Sequence, residues 1–151
     1  MAHTFNNVLI HLVFSTRDRH PLLRDEAIRN EMHNYLGGTS SALGCPIIRV
    51  GGVEDHVHLL SYLSKTISIS DRVREIKKNS SGWAKNKYDS LHDFQWQMGY
   101  GVFSVSQSMT SVVEEYIRNQ EKHHQTRTFQ EEFRSLLEKH GIQWDEKYVW
   151  G

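Results

Sequence analysis

The chain has 151 residues, 38% hydrophobic and 24% charged, a composition that fits one globular domain spanning residues 1–151. Eighteen Lys and Arg balance 18 Asp and Glu, so gross charge points to no nucleic-acid partner, and any such partner must be met by a local patch. The single cysteine, Cys45, excludes an intrachain disulfide and a multi-cysteine zinc site, and no apolar run approaches the roughly 18 residues of a membrane span.

Phe5 to Phe14 is an apolar run rich in β-formers and reads as a buried strand, ended by Ser15-Thr16-Arg17-Asp18-Arg19. From Asp25, the positions Ile28, Met32, Tyr35, Leu36, Thr39 and Leu43 follow helical spacing, with Gly44 as the stop; Gly37-Gly38 offers an earlier end. Pro46 to Val50 reads as a second strand. Gly51-Gly52-Val53-Glu54-Asp55 supplies turn chemistry, and His56 to Leu60 is a third strand. Ser70 is placed to cap a helix through about Lys87, with Val73, Ile76, Ser80 and Trp83 on one face. A strand is expected from Gln97 to Val105. Ser108 then caps a helix carrying Val112, Val113, Tyr116 and Ile117, and Thr128-Phe129-Gln130-Glu131 is a capping-box pattern for a last helix ended by Gly141. The order β-α-β-β-α-β predicts an α+β, ferredoxin-like antiparallel sheet with helices on one face, followed by C-terminal helices that carry Tyr116.

Ten histidines beside two prolines direct attention to imidazole chemistry. His56 and His58 are two apart on a strand, so both imidazoles point to one face while Val57 and Leu59 point to the other. Such a pair can hold a divalent metal; it also occurs as two surface histidines on an edge strand. Tyr116 and Gln120 are four apart, one helical turn, which places a phenol beside an amide oxygen. A tyrosine on an apolar stripe is often a core residue, and with a free pKa near 10 it attacks only if its proton is removed or its anion stabilised. The helix from Ser70 turns Arg74, Lys77, Lys78, Ser81 and Lys85 outward, with Arg72 nearby. That set suits phosphate contacts and is also what a solvated helix face looks like. Trp83, Trp96, Tyr100, Trp144, Tyr148 and Trp150 are core or interface groups or surfaces on which unpaired bases stack.

The segments Gly51-Gly52-Val53-Glu54-Asp55-His56-Val57-His58-Leu59-Leu60, Ile76-Lys77-Lys78-Asn79-Ser80-Ser81 and Tyr116-Ile117-Arg118-Asn119-Gln120, in that order, resemble the single-tyrosine transposases of the HUH superfamily. These belong to the smallest bacterial insertion sequences and their repeat-associated relatives. His11-Leu12-Val13-Phe14-Ser15-Thr16-Arg17 also looks like that family's first strand and turn, and Gly82 departs from the usual continuation of the basic helix. The resemblance implies an enzyme that cuts and rejoins single-stranded DNA at hairpin-bearing element ends. It implies His56, His58 and Gln120 as ligands of Mg²⁺ or Mn²⁺, and Tyr116 as the nucleophile that joins the 5′ phosphate. It further implies a homodimer with the tyrosine supplied across the interface, in the bacterial cytoplasm and at the nucleoid. Rival readings are a metal-dependent nuclease using water, a non-catalytic nucleic-acid-binding module on the same sheet, and a relaxase or replication initiator.

Overall fold

The computed structural model describes residues 3–151, so the first two positions of the expected domain lie outside the described residues. Strand β1 (Leu9–Ser15) is buried along its whole length. It pairs antiparallel with β3 (His56–Tyr62) on one side and with β4 (Gly101–Val105) on the other. Strand β2 (Ile47–Gly52) lies outside β3, giving the order β2-β3-β1-β4. A strand covered on both faces needs apolar residues on both, which is why β1 reads as an apolar run from Leu9 to Phe14 broken only by His11.

Helices α1 (Glu26–Ala42) and α2 (Ile69–Lys87) cover one face. There Leu12, Phe14, Val57 and Leu59 of the sheet meet Met32, Leu36, Val73 and Ile76 of the helices. The opposite face, bearing Val13 and Phe103, is covered by α5 (Phe129–Lys139) through Phe129, Phe133 and Leu137. Helices α3 (Thr110–Arg118) and α4 (Gln120–His123) lead into it. The α+β sheet is therefore the predicted one, and the C-terminal helices close the face that α1 and α2 leave open.

Several boundaries differ from the sequence expectations. Strand β1 begins at Leu9 rather than Phe5, whose side chain is 93% exposed. Helix α1 runs through Gly37-Gly38 because Gly37 packs against β2, where an added Cβ would sit 3.5 Å from Ile47. Helix α2 is capped by Ser68, not Ser70; its side chain accepts a hydrogen bond from the Asp71 amide at 3.1 Å. The same helix continues past Gly82, which meets nothing. Strand β4 starts at Gly101, not Gln97, because the carbonyls of Gln97 and Gly99 turn instead to Lys77 Nζ at 2.8 and 2.7 Å. Ser108 does not cap α3, which opens from a 3-10 turn over Gln107–Met109. The Thr128 capping box is present, and His140 and Gly141 follow the end of α5.

Candidate active site

The alternation of β3 puts His56 and His58 on the face toward α3–α5, while Val57 and Leu59 enter the core beneath α1 and α2. Both imidazoles are fully buried. Each is held by the nitrogen turned away from the centre: His56 Nδ1 lies 2.7 Å from Asp55 Oδ1, and His58 Nδ1 lies 2.8 Å from His11 Nε2 on β1. Their Nε2 atoms both lie 3.1 Å from one oxygen, Glu132 Oε1 of α5.

Tyr116 and Gln120 converge on the same carboxylate. The Tyr116 hydroxyl donates to Glu132 Oε2, and the Gln120 amide donates to that oxygen at 2.8 Å. The Gln120 carbonyl oxygen faces His56 Nε2 at 2.9 Å. His124 Nε2 adds a contact of 3.0 Å to Glu132 Oε1. The two residues expected on one helix are in fact divided by a break at Asn119, between α3 and α4, yet both still point at the histidine pair. Close docking of α3 depends on Gly51 of β2, where a Cβ would stand 2.6 Å from the Ile117 carbonyl oxygen.

The electrostatics follow from this crowding. Burial disfavours charge on Glu132, but the imidazoles of His58, His124 and His56 outweigh it and hold the carboxyl well below the usual carboxylate range. Burial also pulls His56 down, but hydrogen bonds to Asp55 and Glu132 push it up to about 9. His58 and His11 are lowered, mainly by burial. Burial, then the Glu132 charge and hydrogen bond, raise the Tyr116 phenol well above 10, so it stands protonated and donating.

The donor set suits a divalent cation. Ligand atoms of His56, His58 and Glu132 lie within 4.8 Å of one another, and the Gln120 oxygen borders them. The far nitrogens of both histidines are already oriented by Asp55 and His11, the usual arrangement behind metal-binding imidazoles. Imidazole with carboxylate and amide oxygen is chemistry that Mg²⁺ and Mn²⁺ accept.

Sequence reasoning missed Glu132, His11, Asp55 and His124. One signal for Glu132 was present: Phe129, Glu132, Phe133 and Leu137 form the buried stripe of α5, and a carboxylate in an apolar stripe demands partners. The single chain closes the cluster by itself, with the Tyr116 ring centre 5.9 Å from that of its own His58.

The expected phosphate contacts lie elsewhere, on α2. Arg74, Lys78 and Lys85 are exposed and Ser81 is half-buried. Lys77 is turned inward; it spends its hydrogens on the carbonyls of Gln97, Met98 and Gly99, and burial lowers it to about 8. Arg72 is fully buried and donates to Ser40 Oγ at 2.8 Å, so it does not join the basic face. Among the described residues, no helix is long and apolar enough to cross a membrane.

A family model described as "Transposase IS200 like" matches residues 4–120. No curated protein matches the chain. Two solved structures share its fold. One, described as a candidate transposase of Deinococcus radiodurans R1, is 24% identical with a TM-score of 0.59, covering 80% of this chain and 95% of its own. The other, a REP-associated tyrosine transposase bound to a REP hairpin, is 16% identical with a TM-score of 0.60, covering 82% of this chain and 72% of its own.

Proposed function

Because the chain belongs to the IS200-like transposases, we propose that it cuts and rejoins single-stranded DNA at hairpin-bearing ends, with Tyr116 as nucleophile. The observation that supports this most is the convergence of the Tyr116 hydroxyl, the Gln120 amide and the Nε2 atoms of His56 and His58 on Glu132. A nuclease that activates water has no need to bring a phenol to that point.

In the cutting step Tyr116 Oη bonds to phosphorus as the bond from phosphorus to the 3′ oxygen breaks. Glu132 Oε2 accepts the phenol's hydrogen and so orients Oη, and the proton passes to solvent as the bond to phosphorus forms. The departing 3′ oxygen leaves as a hydroxyl with a proton from solvent. In rejoining, a 3′ hydroxyl attacks the tyrosyl phosphate and gives its proton to solvent, and the Tyr116 oxygen takes one back as its bond to phosphorus breaks. Keeping the phosphodiester energy in the protein–DNA link lets strands be rejoined without a nucleotide cofactor. His56, His58 and Gln120, with Glu132 beside them, would hold Mg²⁺ or Mn²⁺, which supplies a Lewis acid for the charge on the scissile phosphate. Asp55 and His11 keep the two imidazoles aimed.

Arg74, Lys78, Ser81 and Lys85 are proposed to contact DNA phosphates, and Lys77 to fix the neighbouring loop. We further read the working form as a homodimer. Exchange of α3 onward through the joint Ser106–Met109 would rebuild every contact described above across the interface.

The test is a labelled single strand carrying a hairpin, incubated with protein and Mg²⁺. An adduct that survives denaturation in the native chain but not in Tyr116→Phe supports the reading. Cleavage without any adduct would favour a water-using nuclease.

A further inference from the structure

Away from the catalytic cluster, a cleft of about 740 Å³ lies between α2, the segment before β4 and the C-terminal turn. That is within the roughly 300–1,000 Å³ of pockets that take small ligands. Arg74 and Lys78, one turn apart on α2, line one wall, and Arg17 adds a third cation. Asp18 on the rim and Asp71, paired with Arg74 at 3.1 Å, offset part of that charge.

The other wall is apolar and is held rigidly. Lys77 ties down the carbonyls of Gln97, Met98 and Gly99. Gln97 bonds the Ser15 amide at 2.7 Å and the Gly151 carbonyl at 3.0 Å, and the Gly99 amide bonds the same carbonyl at 3.0 Å. On this fixed loop the Met98 side chain is 93% exposed and Tyr100 is 36% exposed. Met98 and the Tyr100 ring, which has Lys77 Nζ 5.6 Å from its centre, are thus presented to an open cleft by a loop whose hydrogen bonds are already made.

Trp150 connects the cleft to the catalytic face. It lines the cleft, and its ring lies 6.4 Å from Phe129, which in turn lies 4.7 Å from His56.

Cations beside an exposed thioether and an aromatic ring match a phosphate joined to an exposed base. A base pair inside a duplex offers no free face to such a wall. We propose that this cleft captures an unpaired nucleotide adjoining the hairpin stem, its base against Tyr100 and Met98 and its phosphates on Arg74 and Lys78. The inference rests on the reading of the chain as a single-strand transposase and adds where, and by which side chains, the unpaired part of the substrate is held.

The test measures binding in a Tyr116→Phe background, so that no DNA is cut. Three probes are compared: a hairpin with a flush end, the same hairpin with a short oligothymidine tail, and the tailed hairpin with abasic positions in the tail. The tail is expected to tighten binding about tenfold, as stacking of a base does, and the abasic tail to give little of that gain. Met98→Ala and Tyr100→Ala should each lose most of the tail gain while binding the flush hairpin within about twofold of the parent. Arg74→Ala and Lys78→Ala should flatten the salt dependence for the tailed probe. Met98 is 93% exposed, so the thermal midpoint of Met98→Ala should stay at the parent value, and that variant carries the test if Tyr100→Ala melts earlier. Full tail gain in both variants, or equal binding of abasic and intact tails, overturns the cleft assignment. If the native chain still forms its adduct in that case, the transposase reading stands; if it binds neither hairpin and forms no adduct, both fall.

Discussion

Glu132 holds the candidate active-site cluster together at the scale of single residues. Its side chain accepts from Tyr116 and Gln120 on one oxygen and meets three imidazoles on the other. Replacing it with alanine strands several buried polar groups at once, and stability should fall by about 3 kcal/mol in chemical denaturation. Calorimetry should also show Mn²⁺ binding weakened in Glu132→Ala, His56→Ala and His58→Ala, and less so in Gln120→Ala, since a neutral amide is the weaker donor. Unchanged Mn²⁺ affinity in both histidine variants would overturn the metal assignment. His33 gives a prediction of a different kind. Burial, aided by the Arg29 charge, lowers it from 6.5 to about 4, and its Nε2 is buried without a partner. Between those values the unfolded chain binds a proton that the folded chain refuses, so His33 costs stability as pH falls from about 6.5 toward 4. From pH 7 to pH 5, His33→Gln should lose about 2 kcal/mol less than the native chain in urea titrations.

Two glycines separate structural need from mere tolerance among the elements. Gly51 lets α3 lie on β2, since a Cβ there would meet the Ile117 carbonyl oxygen at 2.6 Å. Gly51→Ala must push α3, and Tyr116 with it, off the histidine pair. It should lower stability by about 2 kcal/mol and cut the rate of adduct formation. Gly82 sits within α2 with nothing nearby. Gly82→Ala should raise stability by about 1 kcal/mol and leave the adduct rate at the native level. Thermal melts beside a gel assay of the adduct distinguish the two. Sequence spacing placed α5 with its capping box and the body of α2 well, because a capping box and an apolar stripe are local signals, although Ser68 and not Ser70 caps α2. It overextended β4, because the capture of residues 97–99 by Lys77 and Gly151 depends on chain segments far apart in sequence.

On the scale of the whole molecule, each partner strand and helix contributes one part of the cluster: β1 gives His11, β3 the histidine pair, α3 the phenol, α4 the amide and α5 the carboxylate. A dimer that exchanges α3 onward would keep all of these contacts and rearrange only the joint Ser106–Met109. Mixing Tyr116→Phe with His58→Ala under conditions of subunit exchange should then restore cleavage, because one site of the mixed dimer carries both defects and the other neither. Mixed dimers confirmed by mass spectrometry but still inactive would show that each site is completed within one chain, as it is in the single chain here. DNA binding should favour a hairpin-bearing single strand over the matching duplex and weaken with salt, measurable by competition at fixed ionic strength.

His56-Val57-His58, with Tyr116 four residues before Gln120, was readable from the sequence by itself, and so were the α+β order and the basic run on α2. These are patterns of period two or of one helical turn, and local geometry alone makes them meaningful. Glu132 and His11 entered the site only through the fold, because they meet the histidine pair across 74 and 47 positions of chain from His58, whereas Asp55 adjoins His56 and only its hydrogen bond was unseen. The identity of Lys77 as a loop anchor rather than a free cation was decided in the same way. Its charge is visible in the sequence, but the carbonyls that consume its hydrogens are positioned by packing between α2, β4 and the C-terminal turn.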